Sequence, residues 1–470
     1  MIPSVPSGDA AFRVADRIRA PEPWEVFAER IRRYEIHLNG SVVELTRGPI
    51  VTEGYGIRLL RSREGKTATG FQASTDFSDE GIRTVVEDAE AVARHSIFPA
   101  KDPTLPSSSP TTTARPEIVD PVLWSQPMET LEAFVHALTS PFDGRKNEVL
   151  SFGSVRASLI ETSLANSSGL RGAYEHTMVE FEAAVKAFGG PEGPPPGEYW
   201  VNELARWLDP EGIPSEVAKW CQYAQDVRRA GRPPTGQLPV VLPTNVLATI
   251  LPIVFGARFT GAARLREIAP PIGSKVSSPV VTVHDDGLYP WGCFSSPLDD
   301  EGTSQRGRTL IEAGEVSELL YDSLHASALS ASPTGNAIRI PEFGGLRESR
   351  RFTHPPGEAV TTLVIPPGSG GTDAELIQAA GDGIWVQQLG WAFPDPISGA
   401  FGGEIRIGYR IRGGKLAEPV RGGTVGGVVM APPGSPSLLA DTIAVGSKTD
   451  VAEQLASPPL LVRPLVVAGD

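Results

Sequence analysis

Glycine and proline punctuate this chain throughout, with 50 of the first and 44 of the second among 470 residues. Such spacing leaves little room for long helices and points to many turns and short strands. The runs between these breaks alternate in polarity, as half-buried strands do. "YEIHLNGSVVELT" places two such runs around Asn39-Gly40, a hairpin signal because both turn positions accept positive φ. "YGIRLLRSREGKTATGFQAST" reads as a second strand pair turning near Glu64-Gly65-Lys66. A short amphipathic helix precedes the first pair. A second follows from Ser78, a candidate N-cap with Asp79 and Glu80 in the first turn.

At this length two domains are expected. Residues 1–230 read as an α+β domain of antiparallel strands and helices. It carries a Pro/Ser/Thr-rich exposed loop at 98–121, a helix near 127–139, alternating strands to about 185, a surface excursion in "GGPEGPPPGEYW" and a helix over 214–230. "RAGRPPTG" breaks the pattern. Residues 231–470 then read as a mainly β domain, barrel-like or a curved sheet, from "LPVVLP", "SPVVTVH", "RTLIEAGEVSELLYD", "AVTTLVIPP", "GIWVQQL" and the glycine-rich run to 430. Short helices are expected near 244–259, 321–331 and 372–380.

Composition narrows function by exclusion. A net charge of −14 disfavours a nucleic-acid binder, which needs a basic face. Two cysteines, Cys221 and Cys293, build neither a disulfide framework nor a cysteine-based zinc site. The first 20 residues lack the apolar run of a signal peptide, and "NVLATILPIVFGARF" is too short to span a bilayer, so a cytoplasmic protein without membrane attachment is expected.

The search for chemistry finds little. The seven histidines are scattered, with no pair at ligand spacing. "EGKT" at 64–67 sits in a hairpin rather than opening a helix. "GGTVGG" at 422–427 lacks a Rossmann context and fits two backbones approaching closely. His284-Asp285-Asp286 reads as a polar turn, and Cys293 in "YPWGCF" as a packed thiol. An enzyme of another kind would need His284, Asp285 and Cys293 to converge. "SSPLDDEGTSQRGR" holds three consecutive acids, Asp299, Asp300 and Glu301, between Pro297 and Gly302. They suit a turn in which short acids bond nearby amides, or a contact with substrate or partner.

The order of these segments resembles the TldD/PmbA family, and its PmbA (TldE) branch. Pro297, Asp299, Glu301, Gly302 and Gly314 hold the places of that family's Pro-Phe-Asp-x-Glu-Gly segment and the Ile-x-x-Gly that follows. "GYGIRLL", the turn before Ser78 with its helix, and "RIRGGKLAEPVRGGTVGG" are similar to its N-terminal strand, turn and glycine-rich strand pair, so that the likeness covers about residues 45–435. In the TldD branch a helix carries His-Glu-x-x-x-His, which binds a metal with a later Cys. Here Pro252 and Ile253 fall where the first His and the Glu would be, Ala257 where the second His would be, and no Cys lies beyond 293. Arg258 in the same window would repel a dication.

The resemblance therefore implies a metal-free subunit of a heterodimeric peptide hydrolase, with no cofactor of its own and no catalytic residue. Zinc would sit in a TldD-like paralogue. The pair would degrade or trim unfolded peptides such as antitoxins and the leader segments of ribosomal peptide antibiotics. Candidate substrate or partner contacts are Pro297, Asp299, Asp300, Glu301, Gly302, Arg258, Arg421, Gly422 and Gly423. The alternative is a stand-alone homodimer that binds peptides without cleaving them. Strand addition is the mode by which the heterodimer would be expected to hold an extended chain.

Overall fold

The computed structural model describes all residues except 1–7, 22, 102, 108–115, 190–194, 341–350, 391, 432–433 and 470. The N-terminal half is a six-stranded antiparallel sheet built from β1 (Trp24–Asn39), β2 (Val42–Arg63), β3 (Lys66–Ser74), β4 (Glu148–Asn166), β5 (Arg171–Ala187) and β6 (Gly197–Ala205), in the order β3-β2-β1-β4-β5-β6. The first turn falls one residue later than the sequence suggested. Asn39 is still paired, opposite Val42, and Gly40-Ser41 turn the chain with only Gly40 at positive φ. The second is as expected, with Glu64 and Gly65 both at positive φ between Arg63 and Lys66.

Side-chain alternation gives this sheet two buried faces. Val26 and Ala28 on β1 pack under helices Ala10–Ala15 and Asp79–Ala93. The second helix is capped by Ser78, whose side chain accepts from the Gly81 amide, and turns Ile82, Val85, Val86 and Ala89 inward. Gly70 on β3 lets this helix close down, since a Cβ there would lie 1.8 Å from the Ala89 carbonyl oxygen. Gly70→Ala is therefore expected to cost about 1–3 kcal/mol by overpacking, read as a lowered denaturation midpoint.

Beyond β4, helices Pro127–Thr139 and Ile213–Arg229 cover β4–β6 through Leu131, Phe134, Val217 and Trp220. The 189–200 segment departs from expectation: 190–194 lie outside the described residues, but Gly197–Trp200 open β6 instead of looping outward. Glycine permits this too, because a Cβ at Gly197 would stand 2.0 Å from the Ala224 carbonyl. The 98–121 loop is also less exposed than expected. Ala100 and Leu105 pack with Leu60 and Leu324, Ile118 is buried, and 108–115 lie outside the described residues.

The C-terminal half contains a closed five-stranded barrel. Strand β7 (Gly236–Leu242) pairs with Gly383–Leu389 and with Leu460–Ala468; the circle closes through Thr424–Val428 and Ala400–Arg412. Val240, Leu242, Ile384, Val386, Ile405, Val425 and Leu465 belong to its apolar filling. The expected close approach at 422–427 is present: a Cβ at Gly426 would meet the Phe401 carbonyl at 2.8 Å, and one at Gly423 the Ala468 carbonyl at 2.3 Å. "SPVVTVH" is a strand only from Val283, within a second sheet that also holds Gly307–Glu312, Glu315–Val316, Leu363–Val364, Leu455–Ser457 and Asp450–Ala452. Short helices stand at Thr244–Ala248, Leu251–Arg258, Gly261–Leu265, Ser323–Leu329 and Asp373–Ala380. No helix among the described residues is long and apolar enough to cross a membrane.

Candidate functional site

The odd-numbered face of β1 meets the C-terminal half, and there the acidic loop inserts. Glu25, Phe27 and Glu29 share this face, with Arg58 on β2 directly opposite Glu25. Phe27, Leu164, Leu170, Leu298 and Phe352 form an apolar patch that spans the two halves. Gly54 and Gly56 admit Phe352, whose atoms would clash with a Cβ at either position.

All three loop acids are buried, each to 3% exposure or less. Asp299 makes the expected turn: its Oδ1 accepts from the Glu301 and Thr303 amides, and its Oδ2 from Ala337 N. Asp300 accepts from Arg339 N and from the Arg351 guanidinium at 3.1 Å. Glu301 receives Arg58 Nη2 at 2.6 Å and both the amide and hydroxyl of Ser323. Arg58 also reaches Glu25 at 2.8 Å, Arg339 reaches the other Glu25 oxygen at 2.7 Å, and Arg351 reaches Glu29 at 2.8 Å. Gly302 (φ 92°) lies against Leu170, while Pro297 is half-buried. The loop is thus a buried ionic clasp between the halves, and its side chains bond within the chain. Arg58, Glu25, Arg339 and Arg351 went unnoticed in the sequence. The visible signal was Arg58 inside the apolar run "YGIRLL", together with Glu25 and Glu29 at strand spacing.

The remaining candidates lie elsewhere. Arg258 is half-buried and directed at the Ile268 and Met430 carbonyls. Gly422 and Gly423 pack on Arg232, Pro233 and Ala468 beside an exposed Arg421, rather than against the acidic loop. In helix Leu251–Arg258, Pro252 occupies the first turn, Ile253 is 48% exposed and Ala257 half-buried. None of these three side chains carries a donor atom for a metal.

His284, Asp285 and Cys293 do not form a constellation. His284 Nδ1 bonds Thr309 Oγ1, whereas Asp285 turns to the opposite face and is held by Asn336 and Thr361. Cys293 lies against the Leu204 carbonyl, and burial pushes its thiol up to about 12. Among the described residues one set of metal-capable atoms converges, from Asp322, His325 and Glu358, all within 4.8 Å of one another. These groups already serve as caps. Asp322 Oδ1 accepts from the His325 amide and faces its Nδ1 at 2.8 Å, and Glu358 accepts from the Gly261 and Ala262 amides.

Several of these groups hold protons more strongly in the folded chain. Burial, reinforced by Asp322, raises Glu358 to about 7; burial raises Asp285 to about 7 against its hydrogen-bond donors. Burial opposes a charge on His325, but Asp322 and Glu358 outweigh it and raise its affinity. Raised groups stabilise the fold below their unfolded values, and that stability is lost as pH climbs through the folded ones. Glu35, lowered by Arg47 and Arg156 against burial, acts oppositely, but its contribution is complete by about pH 5. Burial and Arg206 hold His176 well below its ordinary value, so it acts oppositely below about pH 7. The urea midpoint should therefore fall between about pH 7 and pH 8, and less steeply in His325→Gln.

A larger cavity, of about 1020 Å³, runs between β6, helix Ile213–Arg229, strand Gly383–Leu389 and the 289–293 loop. One edge of β6 pairs with β5 and the other faces this cleft, where Gln388 Nε2 donates to Trp200 O at 2.6 Å.

Comparisons with known proteins place this architecture. A model of the PmbA/TldA metallopeptidase C-terminal domain matches residues 235–469, half the chain, and one of PmbA/TldA metallopeptidase domain 1 matches 24–93. The chain belongs to the PmbA/TldD family. Within it, a Haemophilus influenzae protein named as a metalloprotease TldD homolog is 30% identical over 195 residues, 41% of this chain and 38% of that protein. A Synechocystis metalloprotease is 28% identical over 213 residues, 42% of each. The matches therefore span less than half the length of these relatives. TldE from Thermococcus kodakarensis shares the fold over 99% of this chain and all of its own, with a TM-score of 0.76 at 18% identity. A Thermotoga maritima protein described as a candidate modulator of DNA gyrase superposes equally well, at 20% identity over 98% of this chain and 99% of its own.

Proposed function

We propose that this PmbA/TldD-family chain is the metal-free member of a TldD/TldE-type heterodimer that trims unfolded peptides, with zinc and its carboxylate base supplied by a paralogue. The observation that supports this reading is helix Leu251–Arg258, in which Pro252, Ile253 and Ala257 carry no metal-binding atom; the resemblance sets them where the TldD branch holds His, Glu and His. A catalytic zinc takes three protein ligands, and these side chains offer none.

An exposed strand edge supports association with another chain. β3 pairs with β2 only over Tyr55–Arg63, so among the described residues the stretch 42–52 of β2 pairs with β1 alone. Val42, Val43, Leu45 and Val51 are 40–70% exposed along it. An apolar strand edge of this kind is ordinarily covered. A stand-alone homodimer would use the same edge.

The test is reconstitution. The chain is purified alone and with a paralogue carrying His-Glu-x-x-x-His, and each preparation is given an unstructured peptide. Cleavage is expected only from the pair, and a zinc chelator should abolish it. Metal-dependent cleavage by the isolated chain would refute the proposal.

A further inference from the structure

The cleft beside β6 has a chemistry that the partner reading does not use. Its wall alternates with the strand, so that Tyr199, Val201 and Glu203 share one face. Tyr199 packs on Tyr223 at 4.9 Å between ring centroids, and Phe181, directly opposite Glu203 on β5, stacks on Trp220 at 5.9 Å. Glu203 thus stands on an aromatic floor, open to solvent through the cleft.

Its charge is unanswered. Glu216, one turn into the neighbouring helix, is engaged by Lys219 at 2.7 Å. Arg206, the other cation lining the cleft, is buried and spends its donors on the Gly292, Cys293 and Ser295 carbonyls. No cation among the described residues pairs with Glu203. The groups that act on it are its own desolvation and the like charges of Glu216 and Glu453, all of which raise its proton affinity. A carboxylate held against aromatic faces without a counter-charge is complementary to a lysine or arginine side chain, which pairs with the acid while its charge and methylenes lie on the rings.

We infer that this cleft is a subsite for an extended peptide bearing a lysine or arginine, with Glu203 as its anionic floor. The volume accommodates several residues, and the mouth is flanked by Trp207 and Trp291, whose rings lie 6.5 Å apart. A second hollow of about 640 Å³ continues past the same two tryptophans to Glu129 on helix Pro127–Thr139, extending the path for flanking residues. The inference takes from the proposed function only that the ligand is a peptide; it does not depend on a partner or on zinc.

The probe is a fluorescein-labelled, unstructured nine-residue peptide with one central lysine, compared with the same peptide carrying norleucine. Binding to the isolated full chain is followed by fluorescence polarisation. The lysine peptide should bind at least about tenfold more tightly, with the advantage shrinking as salt rises. Glu203→Gln, isosteric and already solvent-accessible, should bring the two peptides within about twofold of each other while the thermal midpoint stays unchanged. Equal binding of the two peptides to the wild-type chain would overturn the inference. So would a lysine preference that survives Glu203→Gln, which would assign it to the overall negative charge, or no binding of either peptide. Each of these results is read without the paralogue, so failed reconstitution of cleavage leaves them interpretable.

Discussion

Arg339→Ala should lower the stability of the chain by about 3–5 kcal/mol, the cost of removing one partner from a buried charge pair. Arg339 is fully buried, lies over the Phe27 ring at 4.9 Å, and bonds Glu25 and the His354 carbonyl at 2.7 Å. Truncation strips Glu25 of one of its two arginines and opens a void beside Phe27. Because the clasp joins the halves, the loss should appear first as faster proteolysis between them and as an earlier, less cooperative urea transition. Arg412→Ala is the control: Arg412 pairs with Glu418 at the surface, both more than 45% exposed, and its loss should change stability by less than about 1 kcal/mol. Equal midpoints for the two variants would show that the clasp contributes nothing measurable.

Val43→Asp combined with Val51→Asp should weaken association with the zinc-bearing paralogue, or with a second copy, by about 100-fold or more. The two side chains are 49% and 51% exposed on the stretch of β2 that pairs with β1 alone, so a carboxylate there meets water in the free chain and is desolvated only in a complex. The fold should therefore be unaffected, with wild-type thermal unfolding. Sedimentation velocity across a concentration series measures the effect, and unchanged association would remove this edge from the interface.

Local chemistry carried the sequence-level expectations furthest. The Ser78 cap, the Glu64-Gly65 turn and the close approaches at 423 and 426 each depend on a few adjacent residues whose conformational preferences are legible without a fold. The α+β organisation, with an antiparallel N-terminal sheet and a mainly β C-terminal domain, followed from polarity alternation between glycine and proline breaks; of the two forms expected for that domain, barrel-like or a curved sheet, the structure holds a closed barrel. Failures came where tertiary packing overrode local signals. Gly197 and Pro-rich neighbours suggest a loop, but the groove between β5 and helix Ile213–Arg229 draws Gly197–Trp200 into a strand. The turn of the acidic loop is legible, but its burial among Arg58, Arg339 and Arg351 is not, because these partners are far away in the chain and follow no period. Glu203 was invisible for the same reason: nothing in "EYWVNELARW" says which rings surround it.

The clasp couples residues of the two halves so closely that they form one heritable unit. A chimera joining β1 and β2 of this chain to the barrel of a relative with different residues at 300, 301, 339 or 351 would enclose mismatched charges. Hybrids that exchange the whole set together should fold, whereas those split between β2 and the acidic loop should not.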